Sequence, residues 1–311
     1  MKTAYRITIA TLMLAAIIVG AASIYMLNYS LKPQRRSRAE ALERLAHHTP
    51  VVMAWVDSIV ASGTLRDTTI TLTDGTTRHG YYLPAHTAAT RTAVLVHGYK
   101  DCALSMMHIG CMYHRDLGYN ILLPDLWAHG ESTGDHINMG WNERHEVLQW
   151  VQVAHTMFHC DTLVLHGISM GGATVMNVSG EPLPPCIKAI VEDCGYTSVW
   201  DEFTAQLDDQ FGLPQFPLMY TTSLLCKLRY GWTFGEASPV EQVKKCKVPM
   251  LFIHGDDDDF VPTAMVHQVY AAHPGKKQLW LAPGSAHARA YSDHPQEYTQ
   301  RVKAFLSTVI Q

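Results

Sequence analysis

The sequence has no excess of positive charge, no internal repeat and no low-complexity tract. Its 24 lysines and arginines stand against 28 aspartates and glutamates, which gives a net charge of −4. This balance excludes the basic field on which non-specific nucleic-acid binding depends, so no nucleic-acid partner is expected. None of the seven cysteines belongs to a Cys-x-x-Cys pair, which argues against a zinc ribbon or a thioredoxin-type site. No metal and no cofactor are expected.

A long uncharged segment stands near the start of the chain. Residues 7–29 contain no charged side chain. As a helix they would be roughly 34 Å long, enough to cross a hydrocarbon core of about 30 Å. We expect residues 1–37 to form a single-pass transmembrane signal anchor. The small residues of Val19–Ser23 leave a cleaved signal peptide as the alternative, although its apolar region would span only about 7–15 residues.

The charges that flank this segment give conflicting indications of its orientation. Lys2 and Arg6 precede it, whereas several basic residues follow it within residues 32–38, which favours a cytoplasmic C-terminal domain. The very short N-terminal tail is instead typical of an exported signal anchor. We favour a periplasmic or extracellular catalytic domain, and the side of the membrane stays open.

Residues 38–311 form the second predicted unit, and the chain's 47% hydrophobic content supports one large domain or at most two. Apolar runs alternate with helical patterns, which predicts an α/β fold with a mostly parallel sheet covered on both faces. A linking helix over 38–62 and a hairpin over 67–84, turning at Asp74-Gly75, precede this sheet. The predicted parallel strands are 92–98, 119–125, 162–167, 187–195, 248–255 and 277–283. The predicted helices of this unit are 103–117, 142–158, 171–179 and 291–310.

A stretch rich in aromatic residues interrupts the alternation between the fourth and fifth of these strands. It covers about residues 196–245 and contains Pro214 and Pro217. We expect a helical cap that covers the site, and the alternative is a surface insertion that packs only on itself. Ligands of parallel sheets bind beyond the carboxyl ends of the strands, so the site should lie at that edge.

A serine stands between two glycines in Gly167-Ile168-Ser169-Met170-Gly171, at the junction of a predicted strand and a predicted helix. This is the G-x-S-x-G pattern, in which a sharp turn leaves the serine side chain exposed at the top of the sheet. The helix N-terminus that follows favours developing negative charge. The pattern therefore indicates that Ser169 is a nucleophile rather than part of a plain glycine-rich turn.

A serine hydroxyl needs a base, and the base needs an acid that orients it. In this architecture the acid and then the histidine follow the serine along the chain. His287 follows the last predicted strand among the small residues 284–286, whereas His294 falls inside the final predicted helix. We therefore expect His287 to be the base.

The acid should follow the preceding strand, where the run Asp256–Asp259 supplies four candidates. We choose Asp258, with Asp256 and Asp257 as the runners-up and Asp193 as an outside candidate. The oxyanion would be held by two backbone N–H groups. The residue after the nucleophile, Met170, supplies one, and Tyr99 in the loop after the first parallel strand supplies the other.

Five segments in order resemble the α/β-hydrolase superfamily: "VLVHGY", "LLPDLWAHGES", "LHGISMGGATVM", "FIHGDDDDFVP" and "GSAHA". The resemblance covers roughly residues 69–311 and is nearest to bacterial hydrolases of the serine aminopeptidase or prolyl-oligopeptidase type, or of the carboxylesterase type. It implies the α/β-hydrolase fold, and its HG-x-x-D-x-x-VP pattern places the acid at Asp258. Within the segment 125–132, Trp127 and Ala128 replace the arginine and glycine common in the family, which puts a charge contact of that loop in doubt.

These observations predict a serine hydrolase with an acyl-enzyme intermediate, a Ser169–His287–Asp258 triad and an ester as the first choice of substrate. A peptidase on small peptides is the second choice. An aminopeptidase needs a carboxylate for the substrate's amine, and Glu192, Glu202 or Asp201 would have to supply it. An inactive, membrane-tethered binding scaffold is the alternative from another class. The oligomeric state is not predicted.

Overall fold

The computed structural model describes residues 2–72, 75–86 and 89–310, and its centre is an eight-stranded sheet in the order β1-β2-β4-β3-β5-β6-β7-β8. The strands begin and end close to the apolar runs of the sequence. They are β1 (Arg66–Thr71), β2 (Thr77–Leu83), β3 (Arg91–Val96), β4 (Asn120–Pro124), β5 (Thr162–Ile168), β6 (Ile187–Asp193), β7 (Met250–Gly255) and β8 (Lys277–Ala282).

Strand β2 pairs antiparallel with both β1 and β4, and every other neighbouring pair in the sheet is parallel. The predicted α/β fold with a mostly parallel sheet is therefore confirmed. Strands β1 and β2 form the predicted hairpin, although Asp74 of its expected turn lies outside the described residues.

The helices lie on both faces of this sheet. They are α1 (Lys2–Leu31), α2 (Arg38–His48), α3 (Met53–Ala61), α4 (Met107–Cys111), α5 (Glu143–Phe158), α6 (Met170–Ser179), α7 (Val199–Phe211), α8 (Leu218–Tyr230), α9 (Pro239–Val243), α10 (Ala264–Ala272), α11 (Ala290–Asp293) and α12 (Pro295–Val309). Short 3₁₀ helices at Pro50–Val52 and Ala103–Met106 and a π-helical turn at Met112–Asp116 complete the set.

Three helices predicted as single elements are divided in the structure. The 38–62 segment breaks before Pro50, and the 291–310 segment breaks before Pro295. Both breaks follow from proline, which lacks an N–H donor and crowds the preceding turn. The 103–117 segment is 3₁₀, α and π in succession. Helix α10 was not among the predicted helices.

Alternate side chains of the strands build two hydrophobic clusters, one on each face of the sheet. Strand β3 contributes Val94 and Val96 to one cluster and Ala93 and Leu95 to the other, which is the period of two expected of a strand buried on both faces. Helices α5 to α8 and α10 cover the first face, and α2, α3, α4 and α12 cover the second.

All seven cysteines lie in the described part of the chain, and each is buried and unpaired. They therefore behave as small apolar side chains in the two clusters. They are Cys102, Cys111, Cys160, Cys186, Cys194, Cys226 and Cys246.

The order of the strands fixes where a site can form. From β3 the chain moves to β4 on one side, and β5 then pairs with β3 on the other side. The loops after β3 and β5 therefore leave the sheet in opposite directions and open a crevice at the carboxyl end, as at the switch point of other open α/β sheets. Helices α7 and α8 of the predicted 196–245 cap stand between β6 and β7 in sequence and line a cavity at this edge.

Helix α1 is long and apolar enough, over Thr3–Leu31, to cross a membrane. Its final residues pack on the domain, because Leu27 and Leu31 are buried in the first hydrophobic cluster. Contacts therefore cross the predicted boundary at residue 37.

Candidate active site

Ser169 lies at the tight turn between β5 and α6, with φ 58° and ψ −122°. These angles are sparsely populated for a residue with a side chain, and such strain concentrates at functional sites. The flanking glycines make the turn possible by close approach. A Cβ on Gly167 would lie 2.1 Å from the Gly171 carbonyl oxygen, and one on Gly171 would lie 2.0 Å from the Val96 carbonyl oxygen.

The structure brings Ser169, His287 and Asp258 into one chain of hydrogen bonds. His287 Nε2 lies 2.8 Å from Ser169 Oγ, and His287 Nδ1 lies 2.8 Å from Asp258 Oδ2. With Nδ1 donating to the carboxylate, Nε2 is the acceptor for the serine hydroxyl. The side chain of Ser169 can therefore pass its proton directly to the imidazole.

Asp258 is buried, and the turn around it supplies further donors. The backbone N–H groups of Phe260 and Val261 donate to its Oδ1 at 3.1 Å and 2.9 Å. His254 Nε2 lies 3.3 Å from Oδ2, and sequence reasoning had not selected this histidine. Burial raises the pKa of Asp258, but the hydrogen bonds from His254 and His287 outweigh it and lower the pKa to about 2. The carboxylate is thus ionised at neutral pH.

The alternative candidates have other partners. Asp193 Oδ2 accepts a hydrogen bond from the Tyr298 hydroxyl at 2.9 Å, and Asp256 Oδ1 accepts one from the Gly284 N–H at 2.6 Å. Asp257 is exposed. His294 Nε2 lies 2.8 Å from the Pro283 carbonyl oxygen, away from the serine.

The loop after β3 passes close to the serine. A Cβ on Gly98 would lie 3.4 Å from Ser169 Cβ, so Tyr99 follows at the site itself. Met170 is the first residue of α6, with Ser169 as its N-cap. Its N–H is among the first four of a helix, which have no partner within the helix.

Two buried histidines hold this loop, and sequence reasoning missed their role. His97 Nε2 accepts the Leu126 N–H at 3.0 Å, and His129 Nε2 accepts the Lys100 N–H at 3.2 Å. Burial lowers the pKa of both histidines, that of His129 to about 3, so both are neutral acceptors. The signal in the sequence was that each histidine precedes a glycine in a loop after a strand, His97 after β3 and His129 after β4.

Trp127 stands where the family commonly has an arginine, and another arginine, Arg78, supplies a charge beside this loop. The Arg78 guanidinium lies 4.4 Å from the centre of the Trp127 ring and pairs with Glu146 at 2.7 Å. Glu146 Oε2 in turn accepts the Trp127 N–H at 3.0 Å. An arginine on β2 thus stabilises the loop in which the family commonly carries its own.

Two cavities adjoin Ser169 from different directions. The first has a volume of about 290 Å³ and is mostly apolar, with methionine and aromatic side chains from α1 and the cap helices. The second, of about 390 Å³, is lined by several charged or ionisable side chains. These are Arg44, His48, Asp101, His108, His287 and Arg289. The serine therefore adjoins two cavities, and the second carries more charged side chains on its wall than the first.

Glu202 lines the apolar cavity together with Ser169, whereas Glu192 and Asp201 do not. Burial raises the pKa of Glu202 to about 8, and the negative charge of Asp258 adds to this effect. Its carboxyl group is therefore mostly protonated near neutral pH. Glu192 is buried and accepts the Gly195 N–H at 3.0 Å, and Asp201 accepts the Thr197 hydroxyl at 2.6 Å.

Three side chains with metal-ligating atoms, Cys194, Asp258 and His287, have those atoms within 4.8 Å of one another. Burial raises the pKa of the Cys194 thiol well above its usual range, which opposes the thiolate that a metal prefers. The other two groups already bond each other at 2.8 Å. The cluster therefore fits a hydrogen-bonded histidine–carboxylate pair beside a neutral thiol better than a metal site.

Comparison with known proteins identifies the class. The mostly parallel eight-stranded sheet, with helices on both faces and a serine at the sharp turn after β5, is the architecture of the α/β-hydrolase fold. Residues 130–311 match the model of the prolyl oligopeptidase family, and the chain belongs to this family. The protein is therefore a hydrolase of the prolyl oligopeptidase and esterase type.

One sequence relative and two solved structures illustrate the similarity. The YqkD protein of Bacillus subtilis (strain 168) is 28% identical over 231 residues, covering 74% of this chain and 75% of that protein. The Pyrococcus furiosus esterase Pf2001 is 21% identical with a TM-score of 0.65, over 79% of this chain and 91% of the esterase. The Pyrococcus horikoshii acylaminoacyl peptidase is 16% identical with a TM-score of 0.57, over 78% of this chain and 41% of the peptidase. These structures share the fold.

Proposed function

We propose that the protein is a membrane-anchored carboxylic-ester hydrolase that forms an acyl-enzyme on Ser169. The observation that carries this proposal is the pair of 2.8 Å contacts that link Ser169 Oγ through His287 to Asp258. The strained backbone of Ser169, which holds the hydroxyl at the edge of the sheet, supports it.

The reaction runs in two steps. In acylation, Ser169 Oγ attacks the ester carbonyl carbon while His287 Nε2 takes the hydroxyl proton, and the imidazolium then returns this proton to the departing alkoxide. In deacylation, water attacks the acyl-enzyme by the same route, and the carboxylic acid leaves. Asp258 holds the imidazole in the required tautomer and stabilises the imidazolium.

The negative charge that develops on the carbonyl oxygen needs two aimed donors. We assign this role to the backbone N–H groups of Tyr99 and Met170, each of which would lower the barrier by about 3 kcal/mol. The hydrogen bonds of His97 and His129 keep the loop after β3, which carries Tyr99, in place.

The two cavities favour an ester over a peptide. The apolar cavity suits an acyl chain, and the charged side chains in the second cavity suit a polar leaving group. The second candidate function is an aminopeptidase, which one observation favours: Glu202 lines the acyl cavity, and its Oε2 is buried without a hydrogen bond. The raised pKa of this group opposes binding of an ammonium ion.

The test combines labelling with turnover in the full-length protein. A fluorophosphonate probe should label the wild type, and Ser169→Ala should abolish both labelling and hydrolysis of p-nitrophenyl butyrate. Asp257→Asn, a change at an exposed neighbour of the triad, is the matched control and should label normally.

Two outcomes would change the assignment. A folded wild type that never labels would favour the binding-scaffold alternative. Faster turnover of an alanyl p-nitroanilide than of the ester, lost in Glu202→Gln, would favour the aminopeptidase.

The anchor has its own test. We expect the full-length protein to remain with membranes after carbonate extraction, because α1 exposes an apolar span of membrane-crossing length. Recovery of a mature chain that begins near Ala22 or Ile24 would show a cleaved signal instead.

A further inference from the structure

The last two turns of α1 are built into the hydrolase domain. Leu27 and Leu31 are each 1% exposed and pack in the first hydrophobic cluster. The Leu31 carbonyl oxygen accepts the Ile137 N–H at 2.8 Å, and the Tyr29 hydroxyl donates to Gln210 Oε1 at 2.9 Å. The helix is therefore docked on the domain rather than joined to it by a flexible linker.

The same turns of α1 form a wall of the apolar cavity. Met26, Tyr29 and Ser30 line this cavity together with Ser169. The Ser30 carbonyl oxygen accepts a hydrogen bond from the Tyr99 hydroxyl at 2.6 Å. The apolar helix thus contacts both the proposed acyl cavity and the loop proposed to hold the oxyanion.

The cap carries an exposed apolar surface beside α1, which we call the cap surface: Phe216, Tyr220, Leu224 and Leu228. The last three are 57%, 59% and 77% exposed and recur every four residues along α8, so they form one stripe on that helix. A contiguous exposed apolar patch of this kind marks a site of interaction with another protein or a membrane.

The relative direction of the two helices shows where the cap surface lies. Ser23 contacts Thr221, and Asn28 contacts Arg229, so α1 and α8 run side by side in the same direction. The start of α8 therefore points toward the exposed N-terminal part of α1. The cap surface is continuous with the segment that is long enough to cross a membrane.

Polar groups along this contact are distributed as a membrane boundary would require. Tyr25 and Tyr29 are exposed and stack at 6.1 Å, and tyrosines concentrate at membrane–water interfaces. Arg229 contacts α1 near this level. Closer to the N-terminus of α1, the hydroxyls of Ser23 and Thr221 lie 2.7 Å apart. Each also lies close to the carbonyl oxygen four residues earlier, at 2.8 Å and 3.1 Å. These hydroxyls have partners without water.

We propose that the enzyme takes an ester with a long acyl chain directly from the lipid bilayer, with the cap surface inserted in the membrane beside α1. The acyl chain would enter the cavity between Met26 of α1 and Phe203, Leu207 and Met219 of the cap helices. This inference rests on the ester hydrolysis proposed above and adds the source and class of the substrate.

The first test uses full-length protein reconstituted in phosphatidylcholine vesicles. Two substrates are compared: water-soluble p-nitrophenyl acetate, and 4-methylumbelliferyl palmitate dissolved in the bilayer. In the double variant Leu224→Glu, Leu228→Glu, hydrolysis of the palmitate should fall at least about tenfold, because carboxylates resist entering hydrocarbon. Hydrolysis of the acetate and sedimentation with vesicles should not change. Val51→Glu, the same kind of change at an exposed residue outside α1 and α8, should alter neither rate.

Three results separate the possible failures. Wild-type rates on the palmitate in the double variant would overturn the proposal. So would a wild type that hydrolyses the acetate but not the palmitate, although ester hydrolysis itself would stand. A wild type that hydrolyses neither ester and does not react with fluorophosphonate would overturn the proposed function.

The second test addresses the wall formed by α1. Met26→Trp should shorten the cavity and lower the ratio of kcat/KM for octanoate over butyrate p-nitrophenyl esters by at least about fivefold. Ile24→Trp, at an exposed position of the same helix, should leave this ratio unchanged. An unchanged ratio in an active Met26→Trp enzyme would show that α1 does not limit the acyl chain.

Discussion

At the scale of single residues, the proposed acid has two imidazole rings beside one of its carboxylate oxygens. Asp258 Oδ2 lies 2.8 Å from His287 and 3.3 Å from His254. Burial lowers the pKa of His254, but its hydrogen bonds to Asp258 and to the Val261 carbonyl outweigh this effect and raise it. The choice of Asp258 from the sequence rested on the HG-x-x-D-x-x-VP spacing that the family resemblance implies, and this spacing is local along the chain. The role of His254 depends on the path of the chain after β7, which no periodicity reveals.

Loss of the charge on Asp258 should slow the proposed chemistry without disturbing substrate binding. Asp258→Asn should lower kcat by about 10⁴-fold, because an amide no longer holds the histidine tautomer that accepts the serine proton. KM for p-nitrophenyl butyrate should change little. Steady-state kinetics measures both values.

Asp257→Asn is the control for this prediction, because it makes the same change at an exposed neighbour and should retain near-normal turnover. Near-normal turnover in Asp258→Asn, with a collapse in Asp256→Asn or Asp193→Asn, would move the assignment to another carboxylate.

At the scale of elements, the turn between β5 and α6 depends on contact with β3. The apolar runs predicted the strands to within about two residues, because buried parallel strands are continuously hydrophobic. Helices were predicted less well, since Pro50 and Pro295 divide two of them and the 103–117 segment takes three helical forms. These divisions depend on how the turns pack, and a repeating pattern does not encode that packing.

Gly171→Ala should destabilise the fold by about 3 kcal/mol, because the new Cβ would lie 2.0 Å from the Val96 carbonyl oxygen and one backbone segment must move. Urea unfolding of the detergent-solubilised protein measures the change. Gly235→Ala is the matched control, since no atom lies within 4 Å of its added Cβ. Equal stability of the two variants would show that the turn relaxes freely.

At the scale of the whole molecule, the docking of α1 on α8 was not foreseen. The sequence marks α1 as a membrane span by composition alone, and composition does not say that residues 23–31 also complete a cavity.

The folded domain also holds several acidic groups in its interior. Burial raises the pKa of Glu143, Glu192 and Glu202 to about 8.

These buried carboxyl groups make stability depend on pH. Glu143 has an ordinary pKa of 4.5 and a raised pKa of about 8 in the fold, caused by burial and then by Glu146. As pH rises through this window, the unfolded chain loses a proton that the folded chain keeps, so the free energy of unfolding falls. The stability that protonated Glu143 contributes is fully present below its ordinary pKa of 4.5. It is lost once the pH has risen through the pKa of about 8 in the folded protein.

Glu143→Gln should therefore weaken this dependence. The fall in the free energy of unfolding between about pH 5 and about pH 8 should shrink by at least about 1 kcal/mol. Urea unfolding at the two pH values measures it, and Glu43→Gln, at an exposed position, should leave the fall unchanged. An undiminished fall in Glu143→Gln would show that this carboxyl group is ionised in the folded protein.

The seven buried, unpaired cysteines can report how often the protein opens locally. A thiol reagent such as dithionitrobenzoate reacts with a buried cysteine only after the surrounding structure opens. The rate of the reaction therefore reports how often that region unfolds locally. Cys226 lies on α8, whereas Cys160 lies just before β5 and Cys194 directly after β6, both in the interior of the central sheet. Variants that keep a single cysteine can be labelled with and without lipid. A lower labelling rate at Cys226 alone would show that the bilayer reduces local opening of the cap and leaves the rest of the protein unchanged.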